Sequence, residues 1–176
     1  MSDSLLATGL AGRALTLATA EDTHRLGVEV GRRLQAGDLV LLTGDLAAGK
    51  TTLTQGIGAG LGVRGPITSP TFVIARVHPN LGSGPDLVHV DAYRLGGIAE
   101  LDDLDLDADL EAVVTVVEWG HGVAEALSED WLEIVLTRVE EDEPAPGKDD
   151  EPAAGQGDGP RRARLLGRGP RWTGEG

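Results

Sequence analysis

The chain has 176 residues, a formal net charge of −14 and no cysteine. This length predicts one globular domain that folds without a disulfide or a structural metal. The missing cysteine excludes thiolate catalysis, iron–sulfur clusters and Cys-based zinc sites. Residues 1–139 hold 20 acidic and 9 basic residues, a net charge of −11, which disfavours direct binding to a nucleic-acid backbone.

The sequence predicts no membrane association. Apolar runs fall short of the roughly 20 residues of a transmembrane helix. The first 13 residues lack the basic start and apolar centre of a signal peptide. We therefore expect a cytoplasmic protein with no membrane partner.

The first predicted elements are a strand and a helix. Residues 14–19 alternate between apolar and polar, which is typical of a short strand. Thr19 and Asp22 form a weak capping-box pattern before apolar residues at helical spacing. The pattern predicts a helix over 20–35 that ends near Gly37.

A strand–loop–helix unit follows. Residues 38–43 (DLVLLT) form an apolar run of the buried-strand type, which leads directly into residues 44–51 (GDLAAGKT). A helix is predicted from there to Leu61.

The middle of the chain predicts three strands and one interrupted helix. Residues 72–77, 87–91 and 113–118 are rich in Val and other strand-forming residues. Between residues 100 and 111, seven of twelve positions are acidic with leucines interleaved, which predicts a broken helix with a solvated acidic face.

The C-terminal part predicts a hairpin interrupted by an insert. Residues 131–137 alternate like a half-exposed strand. Residues 140–160 are rich in Asp, Glu, Pro and Gly, so they are expected to be a disordered loop. Alternation returns at 161–167, which predicts a last strand paired with 131–137. The domain organisation is then a core over 1–139, the loop over 140–160 and a core strand and tail over 161–176, with a frayed tail from residue 140 as the alternative.

Residues 44–51 match the phosphate-loop pattern G-x-x-x-x-G-K-[ST]. Gly44 and Gly49 let the backbone curl so that its N–H groups converge on an anion. Lys50, one of only two lysines, supplies a charge for phosphate, and Thr51 supplies a hydroxyl for Mg²⁺. The predicted nucleotide-binding residues are Asp45, Leu46, Ala47, Ala48, Gly49, Lys50, Thr51 and Thr52.

The loop and the strand pattern together predict the fold class. It is an α/β, P-loop NTPase-type three-layer fold with a mostly parallel central sheet and an antiparallel C-terminal hairpin. Ligands of such sheets bind at the carboxyl ends of the strands.

Two acids compete for the role of metal-holding carboxylate. Asp91 and Glu118 each end an apolar run, and the pattern alone does not rank them. Ser69, Pro70 and Thr71 form either a switch segment near the phosphates or a hydroxyl-capped turn. The four histidines show no metal-ligand spacing, so we interpret them as ordinary residues; they are His24, His78, His89 and His121.

Four motifs in order resemble the TsaE family, the bacterial ATPases of tRNA threonylcarbamoyladenosine synthesis. They are GDLAAGKTT at 44–52, SPTF at 69–72, DAYRL at 91–95 and VEW at 117–119. The resemblance covers about residues 14–139 and extends to the predicted last strand. One departure is Ala47, where the family has Gly; if this position needs positive φ, Ala restricts the loop.

The resemblance implies an ATPase that binds ATP and Mg²⁺ and joins the TsaB and TsaD proteins. TsaD transfers the threonylcarbamoyl group to the adenosine beside the anticodon of ANN-decoding tRNAs, and ATP hydrolysis by this subunit supports turnover. The tRNA is then reached only indirectly, through the partners. Carried over by position, the resemblance implies that Lys50 contacts phosphate and that Thr51 and Glu118 bind Mg²⁺. It places Asp91 in the hydrolytic site and Trp119 beside that site. The implied switch is formed by Ser69, Pro70 and Thr71.

Three other functions are compatible with a phosphate-loop pattern. A small-molecule P-loop kinase needs several lid arginines, and only Arg76 and Arg94 occur between residues 65 and 130. A GTPase needs an Asn-Lys-x-Asp motif, which is excluded because the sole asparagine, Asn80, precedes Leu81. A non-enzymatic nucleotide-binding module is distinguished only by its lack of turnover.

Overall fold

The computed structural model describes residues 10–45, 47–68, 75–92, 110–119, 122, 127–139 and 159–173. These ranges contain seven strands and three helices. The strands are β1 (Arg13–Leu17), β2 (Leu39–Thr43), β3 (Ala75–His78), β4 (Leu87–Asp91), β5 (Val114–Glu118), β6 (Trp131–Arg138) and β7 (Arg161–Arg168). The helices are α1 (Ala20–Gly31), α2 (Lys50–Leu61) and the short α3 (Pro170–Thr173).

All seven strands form one sheet in the order β1-β7-β6-β2-β5-β4-β3. The four central strands, β6, β2, β5 and β4, are parallel, whereas β1, β7 and β3 pair antiparallel at the two sides. The predicted α/β fold with a mostly parallel centre is therefore confirmed. Because β2 lies in the middle of the parallel strands, the segment that follows it lies at the centre of the sheet edge formed by the carboxyl ends of these strands.

The C-terminal hairpin is also present. β7 pairs with β6 over eight residues, from Trp131 opposite Arg168 to Arg138 opposite Arg161. β7 pairs on its other side with β1, a contact that the sequence did not predict. The predicted loop over 140–160 lies outside the described residues except for its last two positions.

Helix α1 begins as predicted and ends earlier. The Asp22 N–H donates to the Thr19 hydroxyl, and the Thr19 N–H donates to the Asp22 carboxylate, which completes the capping box. The helix ends at Gly31, not near residue 35. After it, the Arg33 N–H donates to Val30 and the Leu34 N–H to Gly31, so the chain tightens into turns.

Helices α1 and α2 contact each other through their backbones. A Cβ atom on Gly27 would clash with the carbonyl oxygen of Leu53, and one on Gly56 would clash with the carbonyl oxygen of His24. Glycine at both positions is therefore needed for this close approach. The contact fixes the axis of α2, and with it the position where the helix begins.

Apolar side chains cover both faces of the sheet. The larger cluster joins the sheet to α1 and α2 and includes Leu26, Leu42, Leu53 and Ile57. A second cluster on the other face includes Leu41, Val90 and Val117. The helix predicted near 100–111 lies almost entirely outside the described residues. Among the helices in the described ranges, none has the length and hydropathy of a transmembrane segment.

Candidate functional site

The segment between β2 and α2 forms a strained loop at the carboxyl edge of the sheet. Gly49 has φ 104° and precedes the first residue of α2, and Ala47 has φ 61°. Positive φ at Ala47 is the left-handed conformation, which costs a non-glycine residue about 1–2 kcal/mol. The position thus does require the conformation that favours glycine, and Ala47 makes the loop stiffer there. Leu46 lies outside the described residues.

The start of α2 has N–H groups without a side-chain cap. Its N-cap residue is Gly49, which has no side chain to accept a hydrogen bond. The N–H groups of a helix's first turn are otherwise satisfied by a cap, by water or by a bound anion. The beginning of α2 therefore suits an anionic ligand.

Lys50 lies at the first position of α2 and is only 7% exposed. Its Nζ donates to the carbonyl oxygens of Gly44 at 2.6 Å and Asp45 at 2.8 Å, and lies 4.4 Å from the centre of the Trp119 ring. Burial lowers the pKa of Lys50, and the carboxylate of Glu118 acts most strongly in the opposite direction. The amine is thus held inside the site by the loop and by Trp119.

The structure brings both candidate carboxylates together. Asp91 ends β4 and Glu118 ends β5, and the two residues are direct partners in the parallel register. Residues paired in this way project to the same face of the sheet. Both carboxylates also act on the Lys50 amine, which places them beside the loop. The alternatives left open by the sequence are therefore neighbours in one site.

His89 was interpreted from sequence as an ordinary residue, and the structure corrects this. Its ring is fully buried, and its Nε2 lies 3.0 Å from Oε1 of Glu118. Its Nδ1 has no hydrogen-bond partner within the described residues. This contact between Nε2 and Oε1 restrains the orientation of the Glu118 carboxylate.

The remaining predicted site residues occupy separate positions. Thr51 and Thr52 are half-buried in the first turn of α2. Trp119 follows β5 with φ 59°, and its side chain is 40% exposed. Ala48 is buried within the loop. The predicted switch residues Ser69, Pro70 and Thr71 lie outside the described residues.

Two arginines of the C-terminal hairpin contact the loop, and sequence reasoning missed both. The Arg161 Nε donates to the Ala48 carbonyl at 3.1 Å. Nη2 of Arg161 and Nη2 of Arg138 each lie 3.4 Å from the Ala47 carbonyl oxygen. One signal was available in the alternation of β7, where Arg161 shares the buried side of the strand with Ala163 and Leu165.

The donor atoms of the site suit a hard cation. Thr51 offers a hydroxyl, and Asp91 and Glu118 offer carboxylates, whereas Mg²⁺ prefers oxygen ligands. Mg²⁺ commonly takes one or two protein carboxylates and completes its shell with phosphate oxygens and water. Within the described ranges, no three His, Cys, Asp or Glu side chains form a metal-binding group. The oxygen donors of Thr51, Asp91 and Glu118 are of the kind that Mg²⁺ takes together with phosphate oxygens and water.

A parallel sheet whose central strand leads through this loop into a helix defines a P-loop NTPase-type fold. The sequence pattern of the family described as "Threonylcarbamoyl adenosine biosynthesis protein TsaE" matches residues 17–145. The chain belongs to the TsaE family, which acts in the biosynthesis of threonylcarbamoyladenosine in tRNA.

Individual relatives agree with this assignment. The chain is 63% identical over 116 residues to the TsaE protein of Streptomyces coelicolor, covering 65% of this chain and 78% of the relative. It is 40% identical over 124 residues to TsaE of Bacillus subtilis, covering 70% and 76%. The crystal structure of Bacillus subtilis YdiB superposes with a TM-score of 0.62 at 28% identity, covering 91% of this chain and 88% of that one.

Proposed function

We propose that this protein is the Mg²⁺-dependent, ATP-binding and ATP-hydrolysing subunit of the tRNA threonylcarbamoyladenosine system. It acts in the cytoplasm with TsaB and TsaD and supports modification of the adenosine beside the anticodon in ANN-decoding tRNAs. One observation carries the proposal: the Lys50 amine and the paired Asp91 and Glu118 carboxylates converge at the loop before α2.

Phosphate binding follows from the loop and the helix. The uncapped N–H groups at the start of α2 are available to bind an anion, and the helix dipole adds a partial positive charge there. The Lys50 amine, now held by two loop carbonyls, can exchange one of them for a phosphate oxygen without leaving the site. Because the site is largely buried, these charged hydrogen bonds are stronger than in water.

Metal binding is assigned to Thr51 and Glu118. Nε2 of His89 contacts Oε1 of Glu118, and we assign the other carboxylate oxygen to the cation. Mg²⁺, when bound, neutralises charge on the transferring phosphoryl group. Asp91, the register partner of Glu118, is assigned to orient the attacking water.

Partner dependence follows from the charges and from the exposure of Trp119. The net charge of −14 opposes unaided binding to tRNA, so tRNA is reached through TsaB and TsaD. Trp119 places a half-open aromatic surface directly beside Lys50, where a partner can contact it. The described part of the site shows no strong general base for the attacking water, which supports slow hydrolysis until a partner completes the site.

The test is ATP hydrolysis by the purified protein, alone and then with TsaB, TsaD and tRNA. We expect weak activity that requires Mg²⁺, rises in the complex and vanishes in Lys50→Ala. If the partners change nothing and a small metabolite accepts the phosphate instead, the protein is a kinase and the proposal is wrong.

A further inference from the structure

The C-terminal hairpin, β6 and β7, is hydrogen-bonded to the phosphate loop through arginine side chains. The Arg161 guanidinium donates to the carbonyls of Ala48 and Ala47, and Arg138 approaches the Ala47 carbonyl from the opposite strand. The geometry points to Arg161 as a positioning residue that holds the loop in its phosphate-binding conformation, with Arg138 in support. This inference rests on the proposed nucleotide-binding function.

Arg161 is itself fixed in place. It is 7% exposed, on the buried side of β7 in line with Ala163 and Leu165. Its Nη1 also donates to the carbonyls of Gly159 and Pro160, at the start of the same strand. A buried guanidinium that loses such acceptors pays a large desolvation penalty, so its position is strongly determined.

The bond to Ala48 orients an N–H group of the loop. In a trans peptide plane the carbonyl of one residue and the N–H of the next point in opposite directions. Holding the Ala48 carbonyl against Arg161 therefore turns the Gly49 N–H away from the hairpin. Gly49 immediately precedes α2, whose first N–H groups have no side-chain cap.

The bond to Ala47 maintains a strained residue. Ala47 adopts φ 61°, a conformation that persists only where surrounding contacts enforce it. Two guanidinium groups reach its carbonyl, from β6 and from β7. The hairpin thus supplies the contacts that keep this turn of the loop in place.

Arginine suits this role better than lysine. The planar guanidinium presents several donors in a fixed fork, so Arg161 bonds two consecutive loop carbonyls and the backbone of its own strand at once. A lysine amine keeps the charge and has one donor centre on a flexible stem. Arg161→Lys should therefore separate positioning from charge.

The first experiment is calorimetric titration of the full-length protein with ADP and Mg²⁺. The matched control is Arg162→Lys, since Arg162 is the next residue on β7 and its side chain is exposed. We expect Arg161→Lys to weaken ADP binding by about tenfold or more, the loss of one charged hydrogen bond. Arg162→Lys should stay within about twofold of the unmodified protein. Equal affinities in the two variants would overturn the inference.

Hydrogen–deuterium exchange without nucleotide gives a readout that a general structural role would not produce. In Arg161→Lys, amides of residues 44–53 should exchange faster, whereas those of β6 and β7 should keep their protection. Unchanged exchange in 44–53 would refute the positioning role. If the unmodified protein binds neither ATP nor ADP, the proposed function fails, and the exchange experiment still decides this inference.

A second variant guards against misfolding of the buried substitution. Arg138 is exposed, so Arg138→Lys is expected to fold normally. It should raise exchange in residues 44–53 to a smaller degree, because Arg138 reaches the Ala47 carbonyl at 3.4 Å, whereas Arg161 bonds the carbonyls of both Ala47 and Ala48. An unaffected loop in Arg138→Lys, where Arg161→Lys does not fold, would count against the inference.

Discussion

Replacing Lys50 by Ala removes the cation to which we assign phosphate binding. Its amine makes two hydrogen bonds to loop carbonyls and lies against the Trp119 ring. A charged hydrogen bond is worth about 1.5–3 kcal/mol. Because Lys50 gives up part of its bonding to the loop on binding phosphate, we expect a net loss of about 2 kcal/mol, a factor of about 30 in Kd.

The assay is calorimetric titration with ADP and Mg²⁺, with Lys148→Ala, the other lysine, as the control. Burial of the Lys50 amine lowers its pKa, and this cost of burying the charge offsets part of the stability that its hydrogen bonds contribute. We therefore expect its removal to change the free energy of unfolding by less than about 1 kcal/mol. Lys50→Ala that keeps its ADP affinity within tenfold would refute the assignment of the loop. If Lys50→Ala loses ADP binding because it unfolds, the prediction that its free energy of unfolding changes by less than about 1 kcal/mol is wrong.

Three further predictions concern the site and its surroundings. Glu118→Ala should weaken the Mg²⁺ dependence of nucleotide affinity more than Asp91→Ala does, and titrations with and without Mg²⁺ that gave the reverse order would exchange their roles. Ala47→Gly relieves about 1–2 kcal/mol of backbone strain against about 0.5–1 kcal/mol of added chain entropy; urea unfolding should show stabilisation of about 0.5–1 kcal/mol, and a loss would contradict the strain. Burial lowers the pKa of His78 below 6.5, so the unfolded chain takes up a proton first as the pH falls. Stability is then full above pH 6.5 and decreases towards the folded pKa, and His78→Gln should reduce this decrease, whereas an unchanged pH profile would contradict it.

Local sequence patterns predict most of the strands. β2 and β5 are continuous apolar runs because both lie in the centre of the parallel sheet, and every residue of β5 is buried. β6 alternates because one of its faces is partly open. The phosphate-loop pattern likewise locates α2 correctly, since its glycines and lysine occupy fixed positions relative to the helix start.

Contacts between segments that are distant in the chain were harder to predict from the sequence. The pairing of β1 with β7 joins residues about 150 positions apart, and neither strand carries a local signal for its partner. His89 gains its role only because the β4–β5 register brings its ring to Glu118. The alternation of β7 places Arg161 on the buried side of the strand, but it does not show that the guanidinium bonds the loop carbonyls. In each case the missing information is tertiary register.

The antiparallel neighbours β1 and β7 have a consequence for the covalent order of the chain. The Gly12 N–H donates to the Leu165 carbonyl, so the first strand begins where the last strand ends. Where β6 ends and β7 begins, the Val139 N–H donates to the Pro160 carbonyl. A circular permutant that joins the two chain ends and opens between 139 and 159 would preserve every strand pairing. Arg138 and Arg161 would then lie near the two new termini. Their hydrogen bonds to the phosphate loop would no longer depend on a covalent connection between β6 and β7.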